Sequence, residues 1–113
     1  MYIERGSYEL KSEYGANTFV VDDAIAPAIA VLNKRGYKTA FCCSGHVNSG
    51  HTTERAYIQF EFGGITPETL PEGWGWVCDG QMEYEYESAS AEDIAETMDA
   101  LTVWAENLPD ARV

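Results

Sequence analysis

Apolar residues recur every three or four positions in two segments of the chain, and this spacing predicts two amphipathic helices. The first covers residues 24–35, after the capping residues Asp22 and Asp23, and ends at Gly36, a typical C-cap. Its expected buried side holds Ile25, Ala28, Ile29 and Leu32. The second begins at Ser90, ends before Pro109 and has an apolar stripe of Ile94, Met98, Leu101, Ala105 and Leu108.

Alternation of apolar and polar residues, or a short run of β-branched and aromatic residues, predicts strands elsewhere. We expect a short strand at residues 18–21, one ending at Cys43, one over 55–62 and a hairpin whose arms meet at Asp79-Gly80. In the strand that ends at Cys43, simple alternation places one set of side chains on one face: Tyr37, Thr39, Phe41 and Cys43. In the second arm of the hairpin, Met82, Tyr84 and Tyr86 oppose Glu83, Glu85 and Glu87.

This order of elements predicts an α+β fold, namely a two-layer sandwich. It has a mainly antiparallel sheet of four to five strands, with two helices packed on one face. The 113 residues form one domain, 1–113, because the chain is long enough for a modest core and shows no second one. Residues 1–17 fit either a short strand pair or a mobile arm.

The net charge of the chain limits the classes of partner that it is expected to bind. Seven basic and nineteen acidic residues give a net charge of −12, which opposes general nucleic-acid binding and anionic membranes. No signal peptide or membrane span is evident, so we expect a soluble, cytoplasmic protein. Three cysteines cannot all pair, which favours reduced thiols. A homo-oligomer is compatible with the sequence.

Candidate chemistry concentrates in residues 36–51, where a strand gives way to a loop rich in glycine and serine. The turn Cys43-Ser44-Gly45-His46 can bind an anion through backbone N–H groups, a hydroxyl and an imidazole. His51 and Trp76 complete the expected ligand-binding set, with Trp76 stacking on a planar group. The leading hypothesis is therefore a small binding protein for an anionic small molecule or nucleotide. No catalytic residue is identified, and a non-enzymatic role is favoured.

Metal binding is the first alternative. Cys43 and His46 have a Cys-x2-His spacing, and His51 and Cys78 complete a tetrahedral zinc set. In that case Cys42 belongs to the core, since free cysteine behaves as a small apolar residue. A second alternative makes Cys43 a nucleophile with a histidine base. A third is an acidic nucleic-acid mimic that inhibits a host protein through Glu83, Glu85 and Glu87.

The segments 25–33, 39–46, 57–62 and 74–77 together resemble the wybutosine-synthesis methyltransferase family. Within the loop motif of that family, matching residues are Thr39, Cys43, Ser44 and Gly45, whereas Phe41 and Cys42 replace serines and His46 replaces arginine. The resemblance spans residues 22–78. It implies S-adenosylmethionine as cofactor and a tRNA base as substrate, and so adds a methyltransferase-related enzyme to the alternatives.

The core Gly-Tyr-x-Thr-x-Phe-x-Cys-x-Gly-His at residues 36–46, followed by Tyr-Ile-x-Phe at 57–60, also resembles short proteins of phages and bacterial mobile elements. That resemblance implies an accessory role in a phage or prophage, in which the protein counters host defence.

Overall fold

The computed structural model describes residues 2–4, 18–20, 24–45, 54–87 and 89–111. In chain order these ranges contain β1 (Tyr2–Glu4), β2 (Thr18–Val20), α1 (Ala26–Lys34), β3 (Thr39–Cys43), β4 (Glu54–Phe60), β5 (Gly75–Cys78), β6 (Gln81–Tyr86) and α2 (Ala91–Glu106). The predicted α+β class is confirmed. Strands β3 to β6 form one antiparallel sheet in the order β3-β4-β6-β5, and β1 pairs with β2 in a separate two-stranded sheet. Residues 5–17 lie outside the described ranges.

Helix α1 lies where its apolar spacing predicts it. Ile25, Ala28, Ile29 and Leu32 are all fully buried, and Pro27 occupies the first turn, where a missing N–H costs no helical bond. The N-cap position is Ile25, without a side-chain cap, so the helix begins later than the predicted caps Asp22 and Asp23, which lie outside the described residues. Gly36 follows with φ of +93°, a conformation that glycine adopts without strain.

Helix α2 confirms its predicted cap. The Ser90 hydroxyl accepts the N–H of Asp93 at 3.0 Å. At the other end, the Arg35 guanidinium donates to the carbonyls of Glu106 and Leu108 at 2.9 Å each. The Tyr37 hydroxyl donates to Pro109 O at 2.7 Å. These bonds satisfy carbonyls at and beyond the C-terminus of α2 and join the ends of the two helices.

One face of the sheet, here called the helix-side face, carries Ala56, Ile58, Phe60 and Met82, none of which is exposed. These side chains form one hydrophobic cluster with the buried residues of both helices, including Ile29, Leu32, Met98 and Leu101. The opposite face, here called the outer face, carries none of these buried side chains. On β3, β4 and β6 it includes Phe41, Cys43, Arg55, Tyr57, Gln59, Gln81, Glu83 and Glu85.

Simple alternation fails in β3, which contains a bulge. Thr39 pairs with Phe60, but Phe41 pairs with Gln59, so Ala40 is an extra residue between them. An extra residue reverses the parity of the side chains that follow. Thr39 therefore faces the helices whereas Phe41 faces outward, and the prediction that both share one face is wrong.

Strand β4 ends at Phe60, two residues before the predicted end. The Gly64 N–H donates to Glu61 O at 3.0 Å, and Gly63 has a φ of +77°, so the chain turns directly after the strand. Phe62 consequently leaves the sheet and is fully exposed.

Candidate functional site

The turn after β3 is anchored from the helix-side face by Tyr86. The Tyr86 hydroxyl donates to the carbonyl of Ser44 at 2.7 Å, a bond made in a buried setting. The ring of Tyr86 lies against Gly45, where an added Cβ would stand 2.6 Å from a ring carbon. Burial raises the pKa of Tyr86 to about 12, with a hydrogen bond from Thr97 acting in the opposite direction. Glycine at position 45 is therefore required both by its φ of +88° and by the ring.

Ser44 does not occupy the accessible position that an anion site needs. It is only 4% exposed, and its hydroxyl donates to Gly45 O at 3.1 Å. The N–H of Gly45 donates to the Cys43 sulfur at 3.4 Å. The predicted role of Ser44 as an exposed anion donor is thus wrong, because the turn uses this hydroxyl and this N–H to hold itself together.

The two histidines of the predicted site, His46 and His51, lie outside the described residues. Their roles as anion-binding groups stay predictions. The structure does describe Gly45, the residue directly before His46. Gly45 is buried and lies against Tyr86, and the last outward-facing side chain of the preceding strand is that of Cys43.

The sheet order separates the cysteines of the predicted zinc site. Cys43 is on β3 and Cys78 on β5, at opposite edges of the sheet. Three interstrand spacings of ~4.8 Å put their backbones ~14 Å apart. Two sulfurs on one zinc lie ~4 Å apart, given Zn–S bonds of ~2.3 Å. We therefore correct the zinc hypothesis, because Cys43 and Cys78 cannot bind the same ion. Among the described residues no group of three or more His, Cys, Asp or Glu side chains is placed to hold a metal.

Cys42 lies opposite Ile58 on the neighbouring strand, and its side chain packs against the core. Its neighbour Cys43 lies opposite Tyr57, on the outer face. The prediction that the two thiols point to opposite faces is confirmed. None of the three cysteines forms a disulfide bond.

The outer face contains a hollow of ≈ 610 Å³ beside β3. Three side chains form a continuous row across β3, β4 and β6, because Phe41 lies opposite Gln59 and Gln59 lies opposite Gln81. Tyr57 lies one row further along β4, and Phe62 contributes from the turn after it. The hollow is lined by these side chains together with Ala40 and Phe60. Here it is called the outer-face hollow.

The chemistry of the outer-face hollow is aromatic and amide. Phe41 is 69% exposed and Phe62 is 102% exposed, so neither ring contributes to the core. The Gln59 amide nitrogen donates to Phe60 O at 3.0 Å and Asp79 O at 3.4 Å. Since both of its protons are used within the chain, this side chain can offer its Oε1 atom as an acceptor. Sequence reasoning missed Phe41, Gln59, Gln81 and Phe62 as site residues, because only the bulge at Ala40 turns Phe41 outward.

The tryptophan assigned to the loop lies elsewhere. Trp76 is on β5, separated from β3 by the two strands β4 and β6, and pairs with Met82 on the helix-side face. Its ring is 6.2 Å from that of Phe60 and is 41% exposed. The prediction that Trp76 stacks on a ligand at the Cys43 turn is wrong. Trp74 and Tyr86 are buried.

No protein-family model, no curated protein and no solved structure matches this chain. The resemblances to the wybutosine-synthesis family and to phage proteins stay predictions. Within the described ranges, neither helix has the length and apolar content that a membrane-crossing segment needs.

Proposed function

We propose that this chain is a binding protein that holds a planar heterocycle of the nucleobase class in the outer-face hollow. One observation carries the proposal, the outer-face hollow itself. Its volume of ≈ 610 Å³ falls within the range of ~300–1,000 Å³ that is typical of small-molecule sites.

The lining of the hollow supports a planar ligand in particular. The exposed rings of Phe41 and Phe62, with Tyr57, offer flat apolar surfaces on which a base can stack. The Gln59 acceptor and the Gln81 amide lie in the same row and match the donor and acceptor pattern on the edge of a base. A purely aliphatic ligand would offer no hydrogen bond to the Gln59 acceptor or to the Gln81 amide, which disfavours it.

The proposal includes an anionic end on the ligand, which makes it a nucleotide. The phosphate would reach the segment that begins at Cys43, and its binding depends on His46 and His51 because the Ser44 hydroxyl and the Gly45 N–H are already engaged. We further propose that the protein acts in the cytoplasm and, in a phage or prophage, sequesters a host nucleotide signal. The acidic-mimic and methyltransferase-related roles stay alternatives.

Calorimetric titration with adenosine, guanosine, cytidine and uridine tests the hollow. At least one nucleoside should bind with 1:1 stoichiometry, and Phe41→Ala should weaken that binding about tenfold, as expected for loss of ~1–3 kcal/mol of stacking. Ile65→Ala is the matched control, since Ile65 is 54% exposed but does not line the hollow. Absence of binding at millimolar nucleoside, or equal loss in both variants, contradicts the proposal.

The corresponding 5′-monophosphates test the anionic end separately. A nucleotide should bind more tightly than its nucleoside, the excess should grow as pH falls through about 6.5, and His46→Ala should remove it. If nucleoside and nucleotide bind equally, the hollow remains a base site and the anion-binding role of the segment is wrong.

A further inference from the structure

A second concavity lies between α2 and the loop that precedes β5. Its volume is ≈ 660 Å³, and its lining includes Trp74, Tyr84 and Trp104 together with Glu72 and Glu96. We call it the aromatic groove. The aromatic groove shares no lining residue with the outer-face hollow, so the two are separate concavities.

The aromatic rings of the groove are held in place. The ring centroids of Trp74 and Tyr84 are 5.9 Å apart, and those of Tyr84 and Tyr86 are 5.1 Å apart in an edge-on arrangement. Trp104 Nε1 donates to Thr69 Oγ1 at 3.1 Å, which ties the wall on α2 to the loop opposite. Rings fixed in this way lose little further conformational entropy when a ligand binds against them.

The charged residues that line the groove are both carboxylates, Glu72 and Glu96. Residues 56–111 contain thirteen carboxylates and no Lys, Arg or His. Glu72 lines the groove from the loop and Glu96 from α2, and both are exposed. Low-dielectric walls lined by one sign of charge concentrate the field within a cleft. Aromatic faces combined with carboxylates are the chemistry that recognises an organic cation.

The concavity continues along α2 towards its N-terminus. An adjoining hollow of ≈ 470 Å³ shares Tyr84, Glu96 and Thr97 with the aromatic groove and adds Glu85, Glu87 and Asp93. From Asp93 to Trp104 the helix rises ~16 Å, at ~1.5 Å per residue. That length accommodates about five residues of extended chain, at ~3.3 Å each, and exceeds the reach of one side chain.

We propose that the aromatic groove binds a basic, extended segment of a partner protein, with an arginine or lysine on the rings of Tyr84 and Trp104. The buried Trp74 packs against Tyr84 and supports it. Glu72 and Glu96 pair with this cation, and the carboxylates of the adjoining hollow pair with the next basic residues of the segment. Such binding combines cation–π attraction with charge-assisted hydrogen bonds.

The probe for the experiment is the fluorescent pentapeptide Arg-Gly-Arg-Gly-Arg, with a citrulline peptide of the same length as control. Citrulline keeps the shape and most hydrogen bonds of arginine but lacks its charge. Binding is followed by fluorescence anisotropy at about 150 mM salt, where distant surface charges are screened within ~8 Å. Only the arginine peptide should bind saturably.

Two double variants separate the groove from the general field. Glu72→Gln with Glu96→Gln should weaken peptide binding at least about tenfold, since each charge-assisted contact is strong. Glu92→Gln with Asp99→Asn removes the same charge from exposed sites on the same helix that line neither concavity, and should change the affinity less than about twofold. Since all four side chains lie at the surface or rims, the fold should survive both changes.

Trp104→Leu should weaken binding as well, about fivefold, while Phe41→Ala should leave it unchanged. Equal loss in the two double variants, binding of the citrulline peptide, or lack of saturation overturns the proposal. Displacement of the peptide by spermidine at a comparable concentration also overturns it, because the groove would then be a site for small polyamines.

Discussion

The two faces of the sheet differ in what alternate residues of the same strands do. Along β4, Ala56, Ile58 and Phe60 are wholly buried under the helices, whereas Tyr57 and Gln59 between them are half-buried on the outer face. Burying an apolar side chain contributes ~1.5–3 kcal/mol, so the helix-side face accounts for the stability of the sheet. Exposed rings such as Phe41 contribute little to stability, which leaves them available for recognition.

The largest expected effect on stability comes from replacing Phe60, and the same replacement at Phe62, two positions later, is the matched comparison. Phe60→Ala removes a ring that is 0% exposed and should lower the free energy of unfolding by ~3–5 kcal/mol. Phe62→Ala removes one that is 102% exposed and should change it by less than ~0.5 kcal/mol. Urea denaturation of both variants measures the difference. A comparable loss in Phe62→Ala would mean that the outer side is packed as well.

Two glycines with positive φ, Gly45 and Gly63, test whether the turn after β3 is packed as tightly as the helix-side face. Gly45→Ala should cost ~2–4 kcal/mol, because left-handed backbone strain of ~1–2 kcal/mol adds to a clash with the buried Tyr86 ring. Gly63→Ala has nothing within 4 Å of the added Cβ and should cost only the strain, ~1–2 kcal/mol. Thermal unfolding followed by circular dichroism gives both values. Equal losses would remove the ring contact from the explanation.

The smallest effect concerns the Tyr86 hydroxyl. Tyr86→Phe leaves the buried carbonyl of Ser44 without its donor and should cost ~1 kcal/mol near neutral pH. Burial raises the pKa of Tyr86 to about 12, above the ~10 of an unfolded tyrosine, so folding favours the protonated phenol. Its contribution is complete below about pH 10 and is lost as pH rises towards 12.

The stability difference between wild type and Tyr86→Phe should therefore shrink across that range. Urea titrations at pH 8, 10 and 11.5 measure it. Burial also raises the pKa of Tyr37, but this residue is present in both proteins and its effect cancels. A difference that stays constant up to pH 11.5 would contradict the assignment of the raised pKa to Tyr86.

Local chemistry made several elements predictable from the sequence. The cap at Ser90, the apolar stripe of α2 and the Asp79-Gly80 hairpin depend on residues within a few positions of one another, and the structure confirms all three. The candidate site was less predictable. The bulge at Ala40, the distance between Cys43 and Cys78, and the burial of Ser44 depend on partners far along the chain, such as Phe60 and Tyr86.

By itself, then, the sequence determined which segments are helical or extended and which side of each is apolar, because these follow from the periodicity of neighbouring residues. Only the tertiary structure decided which polar and aromatic side chains meet. Strand order set the separation of the thiols, a single extra residue in β3 turned Phe41 outward, and packing of the 70–74 loop on α2 formed the aromatic groove. Such pairings depend on contacts between distant segments, which no local pattern encodes.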